Sequence, residues 1–272
     1  MKWVVRTYVC RNGVTEKTKF PVRDLEGSTI RTREDRRAVN RAAKAAGSAR
    51  RILARALNDN FVRGDAFLTL ELSNAGMEKV EARAARMKGI LDWEDKKHVA
   101  MEVEMENLHR RVARACKQTG VDYLYVSAVS DMTDREDLEH SARLHIHMVC
   151  NAAVADIVAK KWGALGPCTR RDLSAWASGG ACDWTGLATY IIEQTRTVDG
   201  GKRYTASRNL HRSSPSPKDD KVARNPYAQL RAPSGTLLLE ANVSRYGTQY
   251  IRYVKLEYVD DDGGGGRYDL PA

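Results

Sequence analysis

The sequence predicts an α+β protein, a central antiparallel β-sheet with helices packed on it. Three observations carry this. Asp65–Leu72 and Leu144–Val149 are short apolar runs in which side chains alternate faces, as on strands. A long stretch rich in Glu, Lys, Ala and Met, about 77–119, reads as helix between strand-like runs. A polar, acidic connection, Asp131–Ser141, joins a Tyr/Val-rich run, Val121–Ser130, to the Leu144 run, which suits an antiparallel pair with a long hairpin loop.

In order, residues 2–10 alternate enough for a first strand. Arg31–Leu57 reads as an Arg/Ala-rich helix interrupted at Gly47-Ser48. It carries nine basic residues (Arg31, Arg33, Arg36, Arg37, Arg41, Lys44, Arg50, Arg51, Arg55) against Glu34 and Asp35, a density of one sign that suits phosphate contact. In the next strand Leu68, Leu70 and Leu72 share one face and Phe67, Thr69 and Glu71 the other. Gly89 is a break point in the long helical stretch, and Gly120 ends it. A helix is expected near Val154–Trp162, followed by a Gly/Ser/Cys-containing loop. Asp183 and Thr185 offer caps for a helix of about 184–197 that carries Tyr190. Ser213–Asp220 is a flexible connector, Thr236–Val259 a hairpin with its turn at Tyr246-Gly247-Thr248, and 260–272 a disordered tail. The segments are therefore 1–64, an N-terminal strand and basic helix; 65–212, the core; 213–259, connector and hairpin; and 260–272, the tail.

The 272 residues carry a formal charge of +10 and a pI near 9.4, which favours a polyanionic partner, nucleic acid before membrane. Hydrophobic residues make up 42 %, enough for a substantial core. The five scattered cysteines form no Cys-x-x-Cys, which argues against a disulfide framework or zinc ribbon and for a reducing compartment. Charge interrupts Met1–Thr7 before any signal-like apolar stretch, and no apolar run approaches the roughly 20 residues of a membrane helix. A cytoplasmic protein with no membrane partner is expected.

His145 and His147 stand on one face of their strand, a ready partial site for a divalent metal. A bare His-x-His pair is more often structural. Its company here is the Phe67-Leu-Thr-Leu70 strand upstream, Tyr190 on a downstream helix, and the phrase Arg203-Tyr-Thr-Ala-Ser-Arg-Asn-Leu210. That order resembles the rolling-circle replication initiators of the HUH endonuclease superfamily, in their bacterial plasmid and mobile-element type. The resemblance runs from about Arg31 to Leu210. It implies an HUH-like fold, a divalent metal (Mg²⁺ or Mn²⁺) at His145 and His147, and Tyr190 as the nucleophile that joins the 5′ phosphate of a nicked single strand. The implied partners are single-stranded or origin DNA with a host helicase and polymerase, since no Walker-type phosphate loop is present. The chemistry agrees with the residue types. A phenol titrates near 10 and is a poor nucleophile unless helped, and a cation beside the scissile phosphate neutralises its developing charge.

Two positions depart from the family pattern. Glu193 stands where a lysine is usual, and Gln194 where many relatives carry a second aromatic residue. The chain thus looks like a single-tyrosine enzyme. Its Tyr-x-x-x-Gln spacing also resembles the single-tyrosine transposases of the superfamily, in which that glutamine completes the metal site. Gln194, Asp131, Glu71 and Glu193 are alternatives for the third ligand. For DNA contact the candidates are Arg36, Arg37, Arg41, Lys44, Arg50, Arg51, Lys202, Arg203 and Arg208, with Arg196 a further substitute for the missing lysine. His98, His109 and His140 read as surface residues, and most of the hairpin tyrosines as packing. A relaxase or transposase with the same chemistry, and a nucleic-acid-binding protein without catalysis, are the alternatives.

Overall fold

A computed structural model describes residues 2–22, 49–89, 91–130, 144–177, 181–195, 198, 201–213, 220–245, 247–259 and 267–269. It divides the chain into two compact units. The first comprises residues 1–60, 176–186 and 211–272, the second 61–175 and 187–210.

In the first unit, strand β1 (Lys2–Val9) pairs antiparallel with β2 (Val14–Val22) across a turn at Gly13, whose φ of 85° suits glycine. Helix α1 is described over 49–60 and buries Leu53 and Leu57. The remainder of the basic segment, with Arg36, Arg37, Arg41 and Lys44, lies outside the described residues.

The second unit starts with β3 (Ala66–Glu71), then α2 (Asn74–Ala85) and α3 (Trp93–Thr119). The long helical stretch is two helices, with the break at the expected place. Gly89 lies between them at a φ of 126°, and Asp92 starts α3 by accepting from the Asp95 N–H at 2.7 Å. Gly120 ends α3 in the left-handed conformation. β4 (Tyr125–Ser130), β5 (His145–Cys150), α4 (Ala152–Trp162) and β6 (Cys168–Asp172) follow, and a 3-10 turn spans Leu173–Trp176. α5 (Thr185–Glu193) belongs to this unit from Leu187 on, and β7 (Thr205–Ala206) closes the sheet. The strand order is β6-β3-β5-β4-β7, all antiparallel.

This is the α+β architecture expected. Leu68, Leu70, Ile146 and Met148 form one sheet face and pack with Val80 of α2, Met101 and Leu108 of α3, and Val158 and Trp162 of α4. Burying each such side chain contributes about 2 kcal/mol. The Trp162 indole N–H donates to the Glu71 carbonyl at 2.8 Å, which fixes α4 on β3.

Two histidines expected at the surface are inside. His98 is 2 % exposed and His109 is 7 % exposed. His109 shares hydrogen bonds with the Tyr123 hydroxyl (2.7 Å, Nδ1) and the Ser127 hydroxyl (2.8 Å, Nε2), so α3 buries a polar group that β4 and its approach satisfy. His140 lies outside the described residues.

The chain returns to the first unit with β8 (Lys221–Val222), β9 (Thr236–Val243) and β10 (Gln249–Lys255). The expected hairpin is β9-β10, and β10 also pairs with β2, giving the sheet β8-β1-β2-β10-β9. The N-terminal and C-terminal segments thus share one sheet. Tyr253 packs inside it, 7 % exposed. β11 (Glu257–Val259) pairs with β12 (Arg267–Asp269), so part of the expected tail is a strand. Among the described residues no helix is long and apolar enough to cross a membrane.

Candidate metal centre and nucleophile

The sheet face opposite the helices α2 to α4 carries the site. In the register of β3 and β5, Thr69 stands opposite His147 and Glu71 opposite His145. On the other side Ala128 and Ser130 of β4 stand opposite His147 and His145. Directly opposed residues share a face, so the two imidazoles are centred among Thr69, Glu71, Ala128 and Ser130.

The imidazoles converge. Their Nε2 atoms are 3.1 Å apart, and the ring planes cross at 82°. His147 is 3 % exposed. Burial, and then the neighbouring His145, push its pKa down to about 3, so at neutral pH it is an uncharged imidazole with a lone pair to offer. Its Nδ1 is buried and has no hydrogen-bond partner among the described residues. Two nitrogens so close, one of them held neutral, suit a first-row divalent cation.

Tyr190 joins this pair. Its half-buried ring lies with its centroid 5.1 Å from that of His147. Phe67 completes a triangle, stacked on His147 at 5.3 Å and edge-on to Tyr190 at 6.2 Å. Tyr190 stands on α5, whose Leu187, Ala188, Ile191 and Ile192 are buried.

The expected third ligands fare differently. Helix α5 ends at Glu193, so Gln194 is not on the helix but immediately after it, although its N–H still donates to the Tyr190 carbonyl at 3.0 Å. The Gln194 carbonyl accepts from the Ser130 hydroxyl at 2.9 Å, which fixes its backbone beside the strand position level with His145. Glu71 is cross-strand from His145 and exposed, and Glu193 is exposed. Asp131 and Arg196 lie outside the described residues. Among the described residues no group of three or more His, Cys, Asp or Glu side chains is arranged to hold a metal.

The basic candidates also separate. Arg50 and Arg51 are on α1 in the first unit. Lys202 and Arg208 are exposed in the second unit. Arg203 instead turns its guanidinium inward, where Nη1 donates to the Thr195 carbonyl at 3.1 Å and lies 3.5 Å from that of Ile192. Sequence reasoning missed this role and that of Ser130. Nothing in the local pattern distinguishes a helix-capping arginine from a phosphate-binding one.

No protein-family model matches the chain, and neither does any curated protein or any solved structure.

Proposed function

We propose that the protein is a metal-dependent single-strand DNA nickase and ligase that initiates rolling-circle replication of a plasmid, phage or integrated element. The observation that carries this reading is the Tyr190 ring 5.1 Å from His147, whose Nε2 lies 3.1 Å from that of His145. A phenol beside two convergent imidazoles is the minimum equipment for metal-assisted phosphoryl transfer. His145 and His147 would hold the cation, with the Gln194 amide as third donor, and the cation would polarise a phosphate oxygen. Imidazole donors suit Mn²⁺ better than Mg²⁺, which prefers oxygen.

The reaction is a transesterification. The Tyr190 oxygen bonds to phosphorus as the phenol loses its proton to solvent. The bond from phosphorus to the 3′ oxygen breaks, and that oxygen takes up a proton and leaves as a free 3′ hydroxyl. No bond energy is lost to water, so a later 3′ hydroxyl reverses the step and seals the strand. The net charge of +10 supports a DNA partner, and the free 3′ end suits a host polymerase with a separate host helicase.

A random-sequence single-stranded DNA library incubated with the protein and Mn²⁺ tests this. The expected result is a denaturant-resistant protein–DNA adduct that is absent in Tyr190→Phe and strongly reduced in His147→Ala. An adduct that persists in Tyr190→Phe places the nucleophile elsewhere. Binding of the library without any adduct points to a protein that binds nucleic acid without cutting it.

A further inference from the structure

Helix α5 is nine residues long, with no basic residue in its last turn and Thr195 rather than glycine beyond its end. A helix this short has little stability of its own, and its last carbonyls need partners. They find them outside the helix. The Thr195 hydroxyl donates back to the Ile191 carbonyl, and the Arg203 guanidinium lies 3.5 Å from the Ile192 carbonyl and donates at 3.1 Å to the carbonyl of Thr195, two residues past the helix. Ser130, 0 % exposed, donates its hydroxyl to the Gln194 carbonyl at 2.9 Å. Beyond the helix, the Gly201 N–H donates to the Val198 carbonyl at 2.7 Å. A Cβ on Gly201 would stand 2.8 Å from that same carbonyl oxygen.

Two of these contacts bear on Tyr190. Ser130 is the cross-strand partner of His145, so its hydroxyl ties the end of α5 to the strand position level with the histidine. Gln194, the residue it holds, is itself hydrogen-bonded through its N–H to the Tyr190 carbonyl. Arg203 places a cation at the negative end of the same helix. We propose that Ser130 and Arg203 are positioning residues, a clamp that fixes the last turn of α5 and thereby aims the Tyr190 phenol at the histidine pair. The proposal rests on the functional reading above for its consequence in catalysis, and it takes Arg203 out of the set of phosphate contacts.

The two roles for Arg203 separate in one experiment. An oligonucleotide recovered from the library adduct is used at saturating concentration with Mn²⁺, and single-turnover adduct formation is followed beside DNA affinity at several salt concentrations. Misplacing a nucleophile by about 1 Å can cost on the order of 100-fold, so Ser130→Ala and Arg203→Ala should slow the adduct step about 10- to 100-fold. Affinity should stay within about twofold and the salt slope unchanged, since no phosphate contact is lost. Ser130→Thr and Arg203→Lys, which keep the hydroxyl and the cation, should recover most of the rate. The double Ala variant should be slowed by less than the product of the single effects, because both act on one turn. With 3-fluorotyrosine incorporated, the ¹⁹F resonance identified by its absence in Tyr190→Phe should shift or broaden in both Ala variants.

Wild-type rates in both Ala variants overturn the clamp. So does a loss of affinity and salt slope in Arg203→Ala with the ¹⁹F resonance unmoved, which makes Arg203 a DNA contact. If wild-type protein forms no adduct, the functional reading falls and the clamp is judged by the ¹⁹F resonance alone. A resonance that moves in the Ala variants then supports it, and one that stays overturns it.

Discussion

Two buried histidines of the second unit differ sharply in their hydrogen bonding. His109 and His147 are both held neutral, mainly by burial, with pKa values pushed down to about 4 and about 3. Both nitrogens of His109 are committed, to Tyr123 and Ser127, and its ring stacks on Tyr125 at 3.9 Å. That is a structural imidazole. His147 meets only His145 through Nε2 and leaves Nδ1 without a partner among the described residues. Unlike His109, it is not committed to structural hydrogen bonds at both nitrogens, as the proposed metal-ligand role requires. Because the folded-state pKa of His109 lies below the ordinary value of about 6.5, the unfolded chain binds its proton first as the pH falls. The stability His109 contributes is complete above about pH 6.5 and is lost progressively down to about pH 4, by at most about 3 kcal/mol. Urea midpoints at pH 7.5 and pH 5 should show this. The drop should be smaller in His109→Gln, even though that variant is less stable at pH 7.5. An equal drop in both proteins would mean that other groups carry the acid sensitivity.

Among the elements, α2 depends on close backbone approach. A Cβ built on Gly76 would overlap the Leu165 carbonyl oxygen, and one on Gly166 would overlap the Glu71 carbonyl oxygen. The loop before β6 is thus pressed between α2 and the end of β3, where the Ser73 N–H donates to the Leu165 carbonyl at 2.8 Å. Gly76→Ala should raise intrinsic helix propensity yet destabilise the protein by about 1–3 kcal/mol, because the clash is with backbone. A lowered thermal midpoint checks this, and an unchanged or raised midpoint would show that the loop yields. The sequence made much of this layer legible. Alternation marked β3 and β5, and Gly120 marked the end of α3, because a C-terminal glycine acts locally. It did not reveal β2, whose Thr-Glu-Lys-Thr-Lys stretch has no apolar alternation. Lys19 there is 2 % exposed and its ammonium donates to the Asn225 and Ala228 carbonyls, partners about 200 residues away. β6 was hidden for another reason. It is an edge strand with Arg170 and Arg171, and edges favour charge over pattern. In the site, the two histidines and the tyrosine were readable as residue types in order, whereas the Ser130 and Arg203 contacts arise from tertiary placement and leave no local pattern.

At the scale of the whole molecule, the chain crosses between its two units several times, and this separates what each sheet requires. The sheet that carries His145 and His147 uses strands from Ala66 to Ala206 only. The other sheet joins β1 and β2, at the start of the chain, to β10, more than 200 residues later. β10 occupies an interior position there, between β2 and β9, so removing it deprives β2 of one neighbour and removes the pairing partner of β9. Arg252 goes with it, and this side chain lies 3.1 Å from the Asp183 carboxylate, itself 0 % exposed. Breaking such a buried pair costs about 3–5 kcal/mol, comparable to a large share of a domain's net stability. A chain ending at Ser234 should therefore lose amide-exchange protection across β1 and β2 while β3, β4 and β5 keep theirs. If adduct formation is measured in parallel, protection of β5 and the Tyr190-dependent adduct should survive together, since every residue of the site and its clamp precedes Leu210. Collapse of protection in both sheets would show instead that the histidine sheet depends on the unit built from the chain's two ends.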